Sequence, residues 1–285
     1  MASLKEVKGR IATVTNTRKI TSAMKMVASS KLYKAQEAIT HMLPYEQHLH
    51  NLLDHLLGNG EVLVWNTPRE VTRVALVVFS SNNSLCGAFN ANVIKQALAW
   101  LEEHKGLGEE NVLIYAIGKK VSDVLLRRGY TLQGYFERMA NRPSFSDASA
   151  LAQTLMDMFV SGKVDHVAFI YNHYKSMSSQ VLKREVYLPM QTSGNTMDGI
   201  RETDYILEPS RKELLAMLLP KVLRLKLYTV LLDSNASEHA SRAMAMQIAT
   251  DNADDLLQKL TLMYNKTRQQ AITSELLDIV GGSMF

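Results

Sequence analysis

The chain has 285 residues, of which 46% are hydrophobic, and its formal net charge is +4. This length is enough for one large or two ordinary domains, and no run of residues is long and apolar enough to span a membrane. A single cysteine, Cys86, excludes an internal disulfide bond and is typical of a reducing compartment. The first residues, MASLKEVKGR, lack the apolar segment of an export signal, so we expect a protein that is not exported.

A long helix is predicted to begin near Ser3, because Ser3 and Glu6 have the spacing of a capping box. Apolar residues then recur every three or four positions up to Leu56, as in a coiled coil, and the pattern stops at Gly58-Asn59-Gly60. About 53 residues at roughly 1.5 Å each correspond to a helix of roughly 80 Å. Four polar residues interrupt the apolar seam: Arg18, Thr21, Lys25 and Glu46.

The first 34 residues are strongly basic, with eight lysines and arginines against one acidic residue, Glu6. Such a block is typical of a solvated face or of a surface for an anionic partner. The segment has one aromatic residue, Tyr33, so a nucleic-acid groove is disfavoured, because such grooves stack bases on aromatic rings. We therefore expect no nucleic-acid partner.

An α/β pattern follows the first helix. Four strands and three helices are predicted here, and helices follow the first two strands. This alternation indicates a mainly parallel, Rossmann-like sheet with helices on its faces. The predicted strands are 74–79, 112–117, 166–171 and 180–188, and the predicted helices are 90–104, 119–128 and 147–160.

A second long helix is predicted to begin at Ser210, where Ser210 and Glu213 again form a capping box, and glycine does not recur until Gly281. The simplest arrangement pairs the two long helices antiparallel. Setting Leu56 opposite Pro209 places Pro44 opposite about residue 221, next to Pro220. It places Leu4 opposite about residue 261, which leaves the end of the second helix as an unpaired apolar tip. The fold class is thus an antiparallel coiled coil with an inserted α/β domain, divided into residues 1–57, 71–205 and 209–285.

Motifs for catalysis or cofactor binding are absent from the sequence. The Gly118-Lys119-Lys120 stretch lacks the remaining residues of a phosphate-binding loop, and no GxGxxG is present. The polar turn at 80–90 is suited either to capping a helix or to holding an anion, and capping is the simpler interpretation. His41, His48 and His55 are about 10.5 Å apart along a helix, too far to share one metal ion. We therefore predict no catalytic residue, cofactor or metal site.

Three segments carry a family resemblance. KITSAMKMVASSK near the start, SLCGAFN after the first strand and RAMAMQIATDNADDLLQKLTLMYNKTRQQAITSELLDIV near the end resemble the gamma subunits of F-type ATP synthases. Their order and spacing match over essentially the whole chain. Two other classes stay open on the residues alone: a coiled-coil-tethered nucleotide-binding enzyme and a structural dimer through the long helices.

The resemblance implies a central rotor without catalytic activity of its own. In this family the coiled coil stands inside the ring of alpha and beta subunits, and the α/β domain lies at its base with the epsilon subunit and the ring of c subunits. Proton-driven rotation of the c-ring is thereby coupled to ATP synthesis or hydrolysis. The resemblance implies a peripheral location on the cytoplasmic face of a bacterial inner membrane, held there only through partners.

The resemblance also assigns roles to individual residues. Met24 and Arg242 match positions that meet a moving acidic segment of beta, and Arg268, Gln269 and Thr273 match positions at a catch loop. Tyr205 and Glu208 match positions that face the c-ring. The apolar tip would turn in a hydrophobic sleeve, and it consists of Leu276, Leu277, Ile279, Val280 and Phe285.

The chain departs from the family pattern in the turn after the first strand. Where the family usually shows Thr-Ser-Asp, then Arg or Gln, then Gly-Leu-Cys-Gly-Gly, this chain has SSNNSLCGA from Ser80 to Ala88. An aspartate and two glycines are replaced, so no charge-pairing role is carried over to this turn.

Overall fold

A computed structural model describes residues 3–57, 65, 69–190, 208 and 210–282. Two very long helices flank four strands and four shorter helices, with two short 3₁₀ turns before the second strand. The helices are α1 (Leu4–Leu57), α2 (Phe89–Glu103), α3 (Lys119–Arg127), α4 (Glu137–Asn141), α5 (Phe145–Val160) and α6 (Arg211–Gly282). The strands are β1 (Val74–Phe79), β2 (Val112–Ile117), β3 (His166–Tyr174) and β4 (Gln180–Leu188).

The chain forms two compact units. The terminal unit consists of Met1–Ser30 and Arg242–Phe285, and the central unit consists of Lys31–Ser241. In the part of the chain that the structure describes, no helix is both long and apolar enough to cross a membrane.

Both long helices begin where the capping patterns predicted. The Ser3 hydroxyl accepts a hydrogen bond from the Glu6 amide at 3.3 Å, and Ser210 does the same for Glu213 at 3.3 Å. Glu6 does not complete its capping box, because its carboxylate pairs with Arg10 at 2.7 Å. Each helix continues through its internal proline, Pro44 in α1 and Pro220 in α6.

The central unit contains a four-stranded sheet in the order β2-β1-β3-β4. β1 is parallel to both β2 and β3, and β4 is antiparallel to β3. Every residue of β1 is buried, as expected for a central strand covered on both faces. The mainly parallel sheet is confirmed, with α4 as an additional short helix that the sequence did not predict.

Helix α6 forms part of the layer on one face of this sheet. Leu223, Leu227, Val230 and Leu231 pack with α5 and with alternate residues of β1 and β3. On the other face, α2 and α3 pack against Val74, Leu76 and Val78 and bury Trp100. The first half of α6 is therefore a component of the sheet's hydrophobic core and not only a coiled-coil strand.

Within the central unit, α1 packs antiparallel against α6. Leu49, Leu53 and Leu56 form an apolar cluster with residues of α6 from Leu215 to Leu225, and the Leu56 carbonyl accepts a hydrogen bond from Arg211 at 2.6 Å. This register is close to the predicted one at that end of the helices.

In the terminal unit the predicted register is wrong. Arg18 pairs with Asp254 at 2.7 Å, and the hydroxyls of Thr21 and Thr250 are 2.8 Å apart. Facing residues therefore have numbers that add up to 271 or 272, which places Leu4 opposite Thr267 or Arg268 instead of residue 261. The prediction assumed one constant offset along the whole pair, and small departures from that offset accumulate over a long helix.

Candidate partner-binding surfaces

The carboxyl edge of a parallel sheet is where α/β proteins usually bind nucleotides, but in this chain its own side chains fill that edge. After β1, the Asn90 side chain accepts a hydrogen bond from the Ser81 amide at 3.0 Å and donates to the Ser81 hydroxyl at 2.8 Å. The side-chain amide nitrogen of Asn90 also lies 3.1 Å from the buried Cys86 sulfur. The turn is thus closed by internal hydrogen bonds, but no side chain caps the amino end of α2 that follows it.

The amino end of α3, beside this turn, is also capped from within the chain. Asn82, Ser81 and Ser80 accept hydrogen bonds from the amides of residues 119, 120 and 121 at 2.9, 3.0 and 3.2 Å. These amides are the groups that would bind a phosphate in a nucleotide-binding fold. Because they already have acceptors, Gly118-Lys119-Lys120 is a helix start and not an anion site.

Helix α6 covers the same edge of the sheet. The Ser241 hydroxyl donates to the Cys86 carbonyl at 2.8 Å, and the side-chain amide of Asn235 donates to the Ala140 carbonyl at 2.9 Å. The space left between α6, β1 and β2 is a cavity of about 10 Å³ lined by Phe79, Ile117 and Asn235, among others. This volume admits about one water molecule.

The unusual residues of the 80–88 turn fit this arrangement. The Asn82 side chain accepts from the Lys119 amide and donates to the Glu137 carbonyl at 2.7 Å, and an ionised aspartate would lack the donor. Ala88 has a φ of −84°, which any residue adopts. Leu85 and Gly87 have positive φ, whereas Ser84 does not, so neither lost glycine lies where a positive φ requires one.

Two polar networks fasten the long helices to the sheet. Asp233 of α6 accepts from the Tyr174 amide at 2.7 Å and pairs with His173 at 2.6 Å, while Gln36 of α1 donates to the Tyr174 hydroxyl at 2.6 Å. Neither network was predicted from the sequence, because each joins residues that are distant along the chain.

In the second network, Glu185 of β4 pairs with Lys226 of α6 at 2.9 Å and accepts from the Tyr171 hydroxyl at 2.9 Å. Burial alone would raise the pKa of Glu185, but the hydrogen bond and charge of Lys226, together with the Tyr171 hydroxyl, outweigh it and lower the pKa. The carboxylate is therefore held ionised against α6.

The terminal unit exposes large apolar side chains on both of its helices. Ile20, Met26 and Val27 of α1 are 58–65% exposed, and Met244 and Ile248 of α6 are 38% and 50% exposed. Met24 and Arg242, which were predicted to contact a partner, both belong to this unit and are half-buried. The structure thus places them beside a surface that is apolar and basic at once.

From residue 268 onward, every side chain of α6 up to residue 280 is exposed. The predicted catch-loop positions Arg268, Gln269 and Thr273 lie here, and the Thr273 hydroxyl donates to the Gln269 carbonyl at 2.9 Å. Four predicted tip residues are 56–68% exposed: Leu276, Leu277, Ile279 and Val280. An apolar helix surface of this extent is typical of a protein–protein contact.

The remaining predicted residues are only partly described. Glu208, at the predicted c-ring contact, is exposed. Tyr205, Phe285 and the glycines at 58–60 lie outside the described residues, as does the side chain of His55. Within the described ranges, no three His, Cys, Asp or Glu side chains are grouped so that they could hold a metal ion.

Comparison with known proteins identifies the family. Residues 3–284 match the family model described as ATP synthase. The chain is 59% identical to the ATP synthase gamma chain of Phocaeicola vulgatus and 55% identical to that of Bacteroides fragilis, in both cases over 100% of both chains.

The fold is shared with solved structures of more distant relatives. A chain of the Euglena gracilis mitochondrial ATP synthase, solved with OSCP, F1 and the c-ring, is 22% identical with a TM-score of 0.67, and the match covers 99% of this chain and 93% of that one. A chain from the central stalk and c-ring structure of the Tetrahymena thermophila enzyme is 23% identical with a TM-score of 0.59, over 81% and 99%. The protein is a member of the ATP synthase gamma chain family.

Proposed function

We propose that this chain is the central rotor shaft of a bacterial F-type ATP synthase, which couples proton-driven rotation of the c-ring to ATP synthesis or hydrolysis. Membership of the gamma chain family over the full length supports this role. The observation that carries the proposal is the surface of the terminal unit, where both helices expose large apolar side chains beside basic ones. A shaft that turns inside a ring needs such an outward surface, whereas a monomeric globular protein rarely exposes one.

The alpha and beta subunits are the proposed partners of the terminal unit. Met24 and Arg242 would meet an acidic segment of beta, and Arg268, Gln269 and Thr273 would meet a loop of the ring. Thioether and guanidinium side chains suit such a moving contact, because methionine adapts to changing surfaces and arginine offers several donors to carboxylates. The exposed apolar residues from Leu276 onward would turn in an apolar sleeve.

The central unit is proposed to carry the epsilon subunit and the c-ring, with Glu208 and Tyr205 at the c-ring contact. Such contacts would hold the protein on the cytoplasmic face of the bacterial inner membrane through its partners alone.

The chain is further proposed to have no catalytic activity of its own. The support is the carboxyl edge of the sheet, where Asn90, Ser81 and Asn82 occupy the donors and acceptors that a nucleotide would use. This arrangement also disfavours the alternative of a nucleotide-binding enzyme.

The test is reconstitution with the alpha and beta subunits of the same organism. We expect the purified chain to show no ATP hydrolysis and no ATP binding, and the mixture to yield a complex that hydrolyses ATP and contains the chain after size exclusion. ATP turnover that follows the isolated chain through size exclusion would support the enzyme alternative instead. An active alpha/beta complex that excludes the chain would refute the rotor role.

A further inference from the structure

A layer of polar side chains crosses the helix pair in the middle of the terminal unit. Arg18 donates to the Asp254 carboxylate at 2.7 Å, and one helical turn away the Thr21 and Thr250 hydroxyls are hydrogen-bonded at 2.8 Å. Thr21 is only 9% exposed, and among the polar side chains described in this unit it alone is buried. We refer to Arg18, Thr21, Thr250 and Asp254 as the polar layer.

Thr21 and Thr250 each have two hydrogen-bond partners for the side-chain hydroxyl, one across the helix pair and one in the same helix. Each hydroxyl has one proton, and each also lies within hydrogen-bond distance of a carbonyl of its own helix. The Thr21 hydroxyl is 3.0 Å from the Arg18 carbonyl, and the Thr250 hydroxyl is 2.8 Å from the Met246 carbonyl. One threonine therefore donates to its own helix while the other donates across the pair. A shift of one helix along the other would break this cross-helix bond and leave each hydroxyl with only the carbonyl of its own helix as a partner.

The apolar residues of the same seam do not supply this constraint. Val7, Ala28, Ala243, Met246 and Ala253 are buried between the helices, but burial of apolar area is non-directional. In a repeating seam, displacement of one helix by a repeat again sets apolar residues against apolar residues. Small alanines in particular oppose such sliding only weakly.

We propose that the polar layer fixes the register of the helix pair in the terminal unit. The Arg18–Asp254 pair is nearly half exposed on both sides, so its contribution to overall stability is small. Its effect is selective: only one register brings Arg18 to Asp254 and Thr21 to Thr250 simultaneously. A polar pair at a coiled-coil seam sets register in this way at some cost in stability.

This inference deepens the proposed function and, in its consequence for coupling, rests on it. A shaft transmits torque between its ends only if its two helices do not slide along one another. We therefore expect loss of the polar layer to reduce the coupling of ATP hydrolysis to proton pumping.

The register is measured with a pair of spin labels in the full-length chain. Lys8 and Asn252 are exposed, and the observed register separates them by about eleven residues, or roughly 17 Å, along the helix axis. Both are replaced by labelled cysteines, with Cys86→Ala to remove the native thiol. We expect a single distance when the polar layer is intact. In the double variant Arg18→Ala with Thr21→Val, we expect a second population displaced by roughly 5 Å, one helical turn.

Two controls distinguish a change in helix register from the effect of losing any ion pair. Arg10→Ala removes the Arg10–Glu6 pair, which has the same 2.7 Å distance but lies within α1 alone, and it should leave the single distance unchanged. The reversed pair, Arg18→Asp with Asp254→Arg, should also keep the single distance because it restores the cross-helix bond. A helical double variant that retains one unchanged distance overturns the proposal.

The consequence for the motor is measured on the same variants in the membrane-bound complex. We expect the double variant to hydrolyse ATP while pumping several-fold fewer protons per ATP, and the reversed pair to recover most of the coupling. A shifted register with normal coupling would refute the role of the layer in torque transmission. Failure of even the wild-type chain to enter the complex would refute the rotor proposal and leave the distance result unaffected.

Discussion

At the residue scale, Gly118 shows how closely the chain packs where a ligand would otherwise bind. It has a φ of 97° and a ψ of 145°, a conformation that is almost exclusive to glycine. A Cβ at this position would lie 2.2 Å from the carbonyl oxygen of Ser80, which is backbone and cannot turn aside. The contact between the turns after β1 and β2 therefore requires glycine.

We expect Gly118→Ala to lower the free energy of unfolding by at least about 2 kcal/mol, since both the backbone strain and the clash oppose the substitution. Chemical denaturation followed by circular dichroism measures this change. Gly106→Ala is the matched control, because no atom lies within 4 Å of the Cβ it would add. Equal stability of the two variants would contradict this account of the turn.

His166, at the start of β3, links stability to pH. Burial lowers the pKa of His166, and electrostatic interactions with His104 and with the guanidinium of Arg184 lower it further. At a pH below the ordinary value of about 6.5, the unfolded chain therefore binds a proton that the folded chain does not, so stability falls as the pH falls.

We expect the wild-type free energy of unfolding to decrease between pH 7.5 and pH 5.5, with a contribution from His166 of at most about 1.4 kcal/mol per pH unit. His166→Gln should flatten this dependence, and denaturation curves at several pH values measure it. An identical pH slope in the variant would exclude His166 as its source.

At the scale of elements, α1 combines two environments along one continuous helix. In the central unit its apolar residues pack on α6, and in the terminal unit its outward residues remain exposed. Charged and large apolar residues therefore alternate from Thr17 to Gln36, because the helix has one face for α6 and another for the proposed partners.

Met24→Lys tests the proposed contact with beta. The new ammonium group should form a charge-assisted hydrogen bond to a beta carboxylate, worth roughly 1–3 kcal/mol, and thereby stabilise one angular position of the shaft. We expect assembly and ATP binding to persist while fewer protons are pumped per ATP hydrolysed in membranes. Thr13→Lys, at an exposed position of the same helix, is a control for added charge. An unchanged pumping ratio would remove Met24 from the contact.

Tyr205→Ala with Glu208→Ala tests the proposed c-ring contact. These residues belong to the central unit, whereas the proposed contacts with alpha and beta belong to the terminal unit. We therefore expect weaker attachment of the complex to membranes, with nearly normal ATP hydrolysis by the complex that is released. Sedimentation of ATPase activity with membranes at increasing salt measures the attachment. Lost hydrolysis with normal attachment would reverse the assignment.

At the scale of the whole molecule, the chain has exposed apolar side chains in each unit, and the described part of α6 ends in a helical segment whose side chains are exposed. Single apolar residues on a surface are ordinary, but continuous apolar surface along a helix is not. Such a surface is typical of a protein–protein contact, and it favours aggregation when no partner covers it.

We therefore expect the isolated chain to self-associate at micromolar concentration, and addition of alpha and beta subunits to suppress the association. Sedimentation velocity over a concentration series measures it. A chain that stays monomeric at high concentration would contradict the interpretation of these surfaces as contacts.

The sequence by itself determined the family and the main elements of the fold. The strands β1, β2 and β3 contain apolar runs rich in Val, Ile and aromatic residues, and Ser3 and Ser210 have capping partners three residues later. Local physics therefore decided where these strands lie and where α1 and α6 begin. The segment SAMKMV and the long motif near the C-terminus were specific enough to indicate the gamma chain family.

Only the tertiary structure decided which distant residues meet. The sequence marked Arg18 and Thr21 as interruptions of an apolar seam, but not Asp254 and Thr250 as their partners, because a repeating seam is compatible with several registers. It likewise did not show that α6 covers the carboxyl edge of the sheet or that Asn90 fills the turn after β1. These contacts depend on hydrogen-bond geometry between segments far apart in the chain, and the periodicity of one segment contains no information about it.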